Sequence, residues 1–217
     1  MTLKTARLIV AILIISMFLA RPAPCAENKP KIIEETKTLA GSSVRIQIPL
    51  SAANDEAASR AAIGKAFKEA SALAPDKASM GTIIDKIVAA LKESGINNAF
   101  VNSPEEMYSL GMKSEKGMWK AWIPHPTDKN KVYAILRLKD EAIATVRNDS
   151  MSASVVAESA AGAEKAAQDL LAQGADGMKA ADEHSIDALL IIKDGKTFRT
   201  EMAGGFKAQY GKAKAKK

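Results

Sequence analysis

The sequence predicts an α+β fold: a mixed or antiparallel sheet with packed helices in a single domain. Three observations predict it. Apolar residues alternate along short runs, namely Val44, Ile46 and Ile48, then Trp119, Ala121 and Ile123, then Val132, Ala134, Leu136 and Leu138. Two longer stretches, 55–74 and 81–94, carry apolar residues at helical spacing. These strands and helices mix without the regular strand–helix–strand period that a parallel sheet requires. The chain of 217 residues is 47% hydrophobic and 26% charged, enough for one core. Aromatics are only 5%, so Ala, Ile, Leu and Met must fill most of it.

The two ends read differently from the body. Lys4 and Arg7 precede an apolar run over 8–20, and small residues with Pro follow to Ala26. Residues 1–26 are therefore expected to be a secretory signal peptide, with an apolar run too short for a comfortable membrane span. The mature chain is expected in the periplasm, with no membrane span after cleavage. Cys25 is the sole cysteine and sits in the cleavage zone behind Pro22-Ala23-Pro24, a poor context for a lipid anchor. Cleavage near Ala26 leaves no cysteine, which excludes disulfides and thiol chemistry. The formal charge is +6, but Lys4, Arg7 and Arg21 leave with the signal, and Lys212, Lys214, Lys216 and Lys217 crowd a low-complexity tail. Without those cations the body is close to neutral, so no nucleic acid is expected as a partner. The tail, 206–217, reads as a disordered basic terminus that attracts anionic lipid or an acidic partner weakly.

Along the mature chain, 27–38 is charged, contains Pro30, and reads as a loose lead-in to a domain over 39–205. The strand at 44–48 ends at Pro49. In the first helix Ala58, Ala62, Ile63, Ala66, Phe67 and Leu73 form the inner stripe, and 74–77 breaks it. The second helix turns Ile83, Ile84, Ile87, Val88 and Leu91 inward and stops at Gly95. A strand at 99–101 leads into a connection over 104–117. Three consecutive strands, 119–123, 132–138 and 142–145, are then expected to pair and make the sheet. After an irregular 146–151 come a strand at 152–157, a helix at 160–173 stopped by Gly174, and a short helical turn at 177–182. A strand at 188–192 and the turn Asp194-Gly195 lead into 197–199.

The residues themselves offer little chemistry. His125 lies between prolines and His184 beside Glu183, both read as surface or loop residues. There is no nucleophile elbow, no phosphate-cradling glycine loop and no His/Cys metal spacing. Glu164 and Gln168 share a helix face and offer two oxygens to a hard cation, or form an ordinary solvated face. Trp119 and Trp122 point to opposite faces of their strand, one to the core and the other to a site where its ring can stack on a flat ligand.

Taken in order, several stretches resemble the ApbE-type FAD:protein FMN transferases. They are Ala40-Gly41-Ser42-Ser43-Val44-Arg45-Ile46, Met80-Gly81-Thr82-Ile83-Ile84-Asp85, the run 91–102, the run 119–126, Ala142-Ile143-Ala144-Thr145, and 152–195. The resemblance implies an exported enzyme that binds FAD with Mg²⁺ and transfers FMN to a threonine hydroxyl. The acceptor is then a subunit of a membrane redox complex. It also implies a cofactor site at Gly81, Asp85 and Thr145 and metal ligands at Glu164 and Gln168. The departures fall on the functional positions. The family's lysine before the glycine is Met80, its Gly-Gly-Asp is Ser103-Pro104-Glu105, and its Ser-Gly after the Ala-Thr is Val146-Arg147. Its metal-binding Asp and Thr correspond to Glu164 and Gln168, and its His-Ile-Ile-Asp-Pro segment has no counterpart between Asn148 and Ser152. The expectation is a protein with FMN transfer lost or weakened that acts by binding a flavin or a partner. The alternatives are an active Mg²⁺-dependent transferase with a diverged site, and a membrane-peripheral adaptor that uses the basic tail.

Overall fold

A computed structural model describes residues 30–50, 55–73, 78–115, 117–128, 131–195 and 197–206. The expected signal peptide, Cys25 and all but the first residue of the expected basic tail lie outside the described residues. Among the described residues the chain forms β1 (Ile32–Leu39), β2 (Ser42–Pro49), α1 (Glu56–Ser71), α2 (Met80–Glu93), β3 (Ala99–Asn102) and β4 (Glu106–Leu110). There follow β5 (Trp119–Pro124), β6 (Val132–Leu138), β7 (Glu141–Arg147), β8 (Met151–Ala157), α3 (Ala160–Gln173), α4 (Ala175–Glu183), β9 (Ala188–Asp194) and β10 (Thr197–Ala203). The expected α+β class is what the molecule adopts. No helix among the described residues is long and apolar enough to cross a membrane.

Among the described residues eight strands make one antiparallel sheet in the order β1-β2-β3-β4-β7-β8-β9-β10, while β5 and β6 pair only with each other. Side chains alternate across this sheet and so build two cores. On one face Ile46, Ile48, Val101, Tyr108, Ala142 and Ala144 pack under α1, α2 and α3. Further along that face Ala153, Val155 and Leu190 meet α3 and α4. On the other face Phe100, Met107, Ile143, Leu189 and Ile191 are roofed by the inward residues of β5 and β6. The molecule therefore has three layers: helices, sheet and a two-stranded ribbon.

Several sequence expectations need correction here. Most of β1, an edge strand that among the described residues pairs only with β2, falls in the lead-in. Its Glu, Thr and Lys residues are the charges an edge strand tolerates, which hid it from a search for apolar alternation. Ala40 and Gly41 form the two-residue loop between β1 and β2, both with positive φ, 46° and 78°, as a tight hairpin requires. The supposed connection after Pro104 contains β4, buried along its whole length. A strand covered on both faces loses the polar alternation that would reveal it.

The three strands expected to pair do not form one sheet. β5 and β6 make the ribbon, whereas β7 inserts between β4 and β8. The reason lies in burial. Ala142, Ile143, Ala144 and Thr145 are all buried, so β7 belongs inside a covered sheet, while β6 keeps Ile135 and Arg137 in solvent. The irregular 146–151 shrinks to a turn at 148–150, where Asn148 Oδ1 accepts from the N–H groups of Ser150 (2.9 Å) and Met151 (2.8 Å). The expected turn at 177–182 is a full helix, α4. Phe206, placed at the start of the tail, is buried in the ribbon-side core.

Candidate functional site

Four of the residues singled out in the sequence, Gly81, Asp85, Glu164 and Gln168, come together where the first turns of α2 and α3 meet. A helix start leaves backbone N–H groups unpaired, and each start here is capped twice. Ser79 Oγ accepts from Thr82 N–H at 3.2 Å, and Ser159 Oγ from Gly162 N–H at 3.1 Å. The second caps are exchanged between the helices. Asp85 of α2 accepts from the N–H groups of Ala160 (2.8 Å) and Ala161 (3.0 Å) at the start of α3. Glu164 of α3 accepts from Gly81 N–H of α2 at 2.8 Å. The arrangement is reciprocal: each helix donates a first-turn amide and supplies a carboxylate four residues further on. Both contacts place negative charge at the positive end of a helix dipole.

Gly81 is what lets the two helices come this close. A β-carbon there would lie 2.7 Å from the backbone of Ala160 and Ala161, inside any real contact distance. Gln168, one turn beyond Glu164, donates its side-chain amide to Glu164 Oε1 at 3.3 Å. The pair expected to hold a metal thus has both carboxylate oxygens in use, one on Gly81 and one on Gln168.

Thr145 lies elsewhere. It is buried on the ribbon face of the sheet, where its hydroxyl pairs with Ser154 Oγ at 2.9 Å. Glu106 and Ala144 are register partners, so Thr145, the next residue, points away from α2 and α3. The structure brings together Gly81, Asp85, Glu164 and Gln168 and leaves Thr145 on the far side.

A residue the sequence reading passed over completes the group. Glu106 opens β4 on the helix side and is 9% exposed. Burial pushes its carboxyl up to about 7, and the negative charges of Glu164 and Glu105 push the same way, against the hydrogen bond with Ser103. Ser103 Oγ lies 2.5 Å from Glu106 Oε2 and accepts from Glu106 N–H at 3.0 Å. Ser103 N–H donates to the Glu106 carbonyl at 2.8 Å. The Ser103-Pro104-Glu105 segment is thus a closed turn around Ser103. Its neighbour Glu105 is tied to Arg147, whose Nε lies 2.9 Å from Glu105 Oε1. The available signal was parity, since Glu106 shares the inner face with Tyr108 and Leu110.

The family resemblance implies Mg²⁺ and FAD, and this donor set does not fit Mg²⁺. A hard cation takes several anionic or carbonyl oxygens. Here burial favours the neutral form of Glu106, and Gln168 presents an N–H to Glu164. For Gln168 to ligate a cation it must turn its side-chain oxygen in place of the N–H now on Glu164, and each Glu164 oxygen already spends one lone pair, on Gly81 or on Gln168. Among the described residues no three His, Cys, Asp or Glu side chains converge as metal ligands. A concavity of about 330 Å³ between α4 and β10 is lined by none of the candidate residues. His125 serves its own loop, its Nδ1 facing the N–H groups of Thr127 (3.3 Å) and Asp128 (3.2 Å), and His184 ends α4. Trp119 is the buried indole, stacked on Phe100 with centroids 5.4 Å apart. Trp122 is half-buried against the same ring at 6.1 Å.

Comparison with known proteins agrees with this architecture. The ApbE family model matches residues 78–148, a segment running from the start of α2 through β7. That match stops short of α3 and its Glu164. No curated protein sequence matches the chain. Among solved structures the fold is similar to the flavin transferase ApbE from Vibrio cholerae, with TM-score 0.66, 14% identity, and 82% of this chain and 99% of that chain covered. It is also similar to the flavinyl transferase ApbE of Pseudomonas stutzeri in its apo form, with TM-score 0.60, 13% identity, and 84% and 97% covered. The ApbE protein of Thermotoga maritima gives TM-score 0.61 at 12% identity, with 82% and 99% covered. Identities this low carry the fold alone.

Proposed function

We propose, from the match of residues 78–148 to the ApbE family model and the fold similar to that of ApbE flavin transferases, that the chain is an exported ApbE-like protein in which FMN transfer from FAD is lost or weakened. It acts instead by binding, either of a flavin nucleotide or of a protein partner in the maturation of a redox complex. One observation carries this reading. Glu164, in the place of a metal ligand, is committed to Gly81 and Gln168 and joins α2 to α3. A carboxylate that caps a helix start is held by charge-assisted hydrogen bonds, which a weakly placed cation does not displace without cost. The replacement of a family lysine by Met80 and the closed Ser103 turn support the same reading.

The test is a titration of the purified mature protein with FAD, with and without Mg²⁺, followed by analysis for released AMP. The expected outcome is no AMP, and either no FAD binding or binding that Mg²⁺ does not change. Mg²⁺-dependent binding with AMP release, both lost in Glu164→Ala, overturns the proposal and restores an active transferase.

A further inference from the structure

The outward face of the β5–β6 ribbon has a charge pattern that the fold does not use. Lys120 and Arg137 stand directly opposite each other across the two strands, and both are exposed. Like charges at opposed positions destabilise a strand pair. No carboxylate among the described residues forms an ion pair with either cation. Next along the ribbon Trp122 faces Ile135, which is 60% exposed, and the Trp122 ring lies half-buried against Phe100. Between Trp119 and Lys139 the sequence holds one acidic residue, Asp128, and that is paired with Lys131 at 2.9 Å. The face therefore combines two opposed, uncompensated cations with an apolar step beside them.

We propose that this face is a docking surface for an acidic, extended segment of a partner protein. An incoming carboxylate placed between Lys120 and Arg137 removes their mutual repulsion and gains two attractions at once. An apolar residue of the same segment then covers Ile135 and the free edge of Trp122. The ribbon favours a protein segment over a lipid headgroup for a geometric reason. The Lys120–Arg137 pair and the Trp122–Ile135 pair are two residues apart along each strand, the spacing at which an extended chain repeats its side chains on one face and which a single headgroup does not reproduce. The ribbon lies across the sheet from α2 and α3. This inference thus goes beyond the reading of that site and stands whether or not FAD is used.

The test uses the full mature chain and a fluorescent, blocked eight-residue peptide of repeated Glu-Ser-Val-Ser, which puts glutamate and valine on one face when extended, followed by anisotropy at low salt. The expected result is saturable binding that weakens about tenfold or more between 50 and 300 mM salt, as screening shortens the reach of the cations. A lysine–valine peptide is expected not to bind. Arg137→Glu is expected to abolish binding, while Lys179→Glu, an exposed change on α4, leaves it intact. Because Arg137→Glu places a carboxylate opposite Lys120, it is also expected to raise the unfolding temperature by ~1–3 °C. Loss of binding in a more stable protein cannot be ascribed to misfolding. The proposal is overturned if the acidic peptide does not bind at millimolar concentration, or if Arg137→Glu binds it as well as the unaltered chain. It is equally overturned if the lysine peptide binds as tightly, or if phosphatidylglycerol vesicles bind through these cations while the peptide does not.

Discussion

Glu106 shows how one buried side chain couples the fold to pH. Its carboxyl ordinarily titrates near 4.5 and is pushed up to about 7, chiefly by burial. A carboxyl raised in the folded state contributes stability that is full below its unfolded value and declines as pH rises through the folded one. The window is therefore roughly pH 4.5 to 7, and the loss across it is on the order of 3 kcal/mol. Glu106→Gln removes the titration and keeps a hydrogen-bonding side chain beside Ser103. Urea unfolding at pH 5 and pH 8 is expected to show a fall in stability for the unaltered chain that is much smaller in Glu106→Gln. Equal falls in the two proteins would remove Glu106 from the account.

At the scale of elements, α2 and α3 are bound by exchanged caps, and their cost can be measured. Asp85→Ala frees the first N–H groups of α3, and Glu164→Ala frees that of Gly81. Loss of a helix cap costs roughly 1–2 kcal/mol. The two substitutions act across one interface, so the double variant is expected to lose less than their sum, with a coupling of about 0.5 kcal/mol or more. Strict additivity in a urea double-mutant cycle would mean that each cap serves its own helix and the exchange binds nothing. The elements easiest to read in the sequence were those with one dry and one wet face, such as β2, α2 and β5. The charged edge β1 and the doubly covered β4 were missed because alternation reports a contrast between two faces, and these strands lack it.

For the whole molecule, the ribbon is a layer of the core and not an appendage. Trp119 is 2% exposed, stacks on Phe100, and donates its indole N–H to the Leu110 carbonyl at 3.3 Å. One side chain thus ties the ribbon to β3 and β4. Trp119→Ala is expected to cost about 3–5 kcal/mol, the range for emptying a large aromatic site. Unfolding followed by Trp122 fluorescence and by far-ultraviolet circular dichroism is expected to stay a single coincident transition at a lower midpoint. An early, separate fluorescence change would show the ribbon detaching by itself.

What the sequence determined by itself was local: where chain segments alternate or repeat, where they are capped and stopped, and hence the α+β class. It also placed Gly81 and Asp85 at the start of one helix and Glu164 and Gln168 on one face of another, because helical spacing and capping chemistry act over a few residues. Tertiary structure alone decided that those two starts meet, that each carboxylate caps the opposite helix, and that Thr145 faces the other way. It also decided that β7 leaves β6 to join β4. The physical reason is range. Capping and periodicity are written within one turn or one strand, whereas strand order and the crossing of α2 with α3 are fixed by burial between residues some eighty positions apart, as Gly81 and Glu164 are.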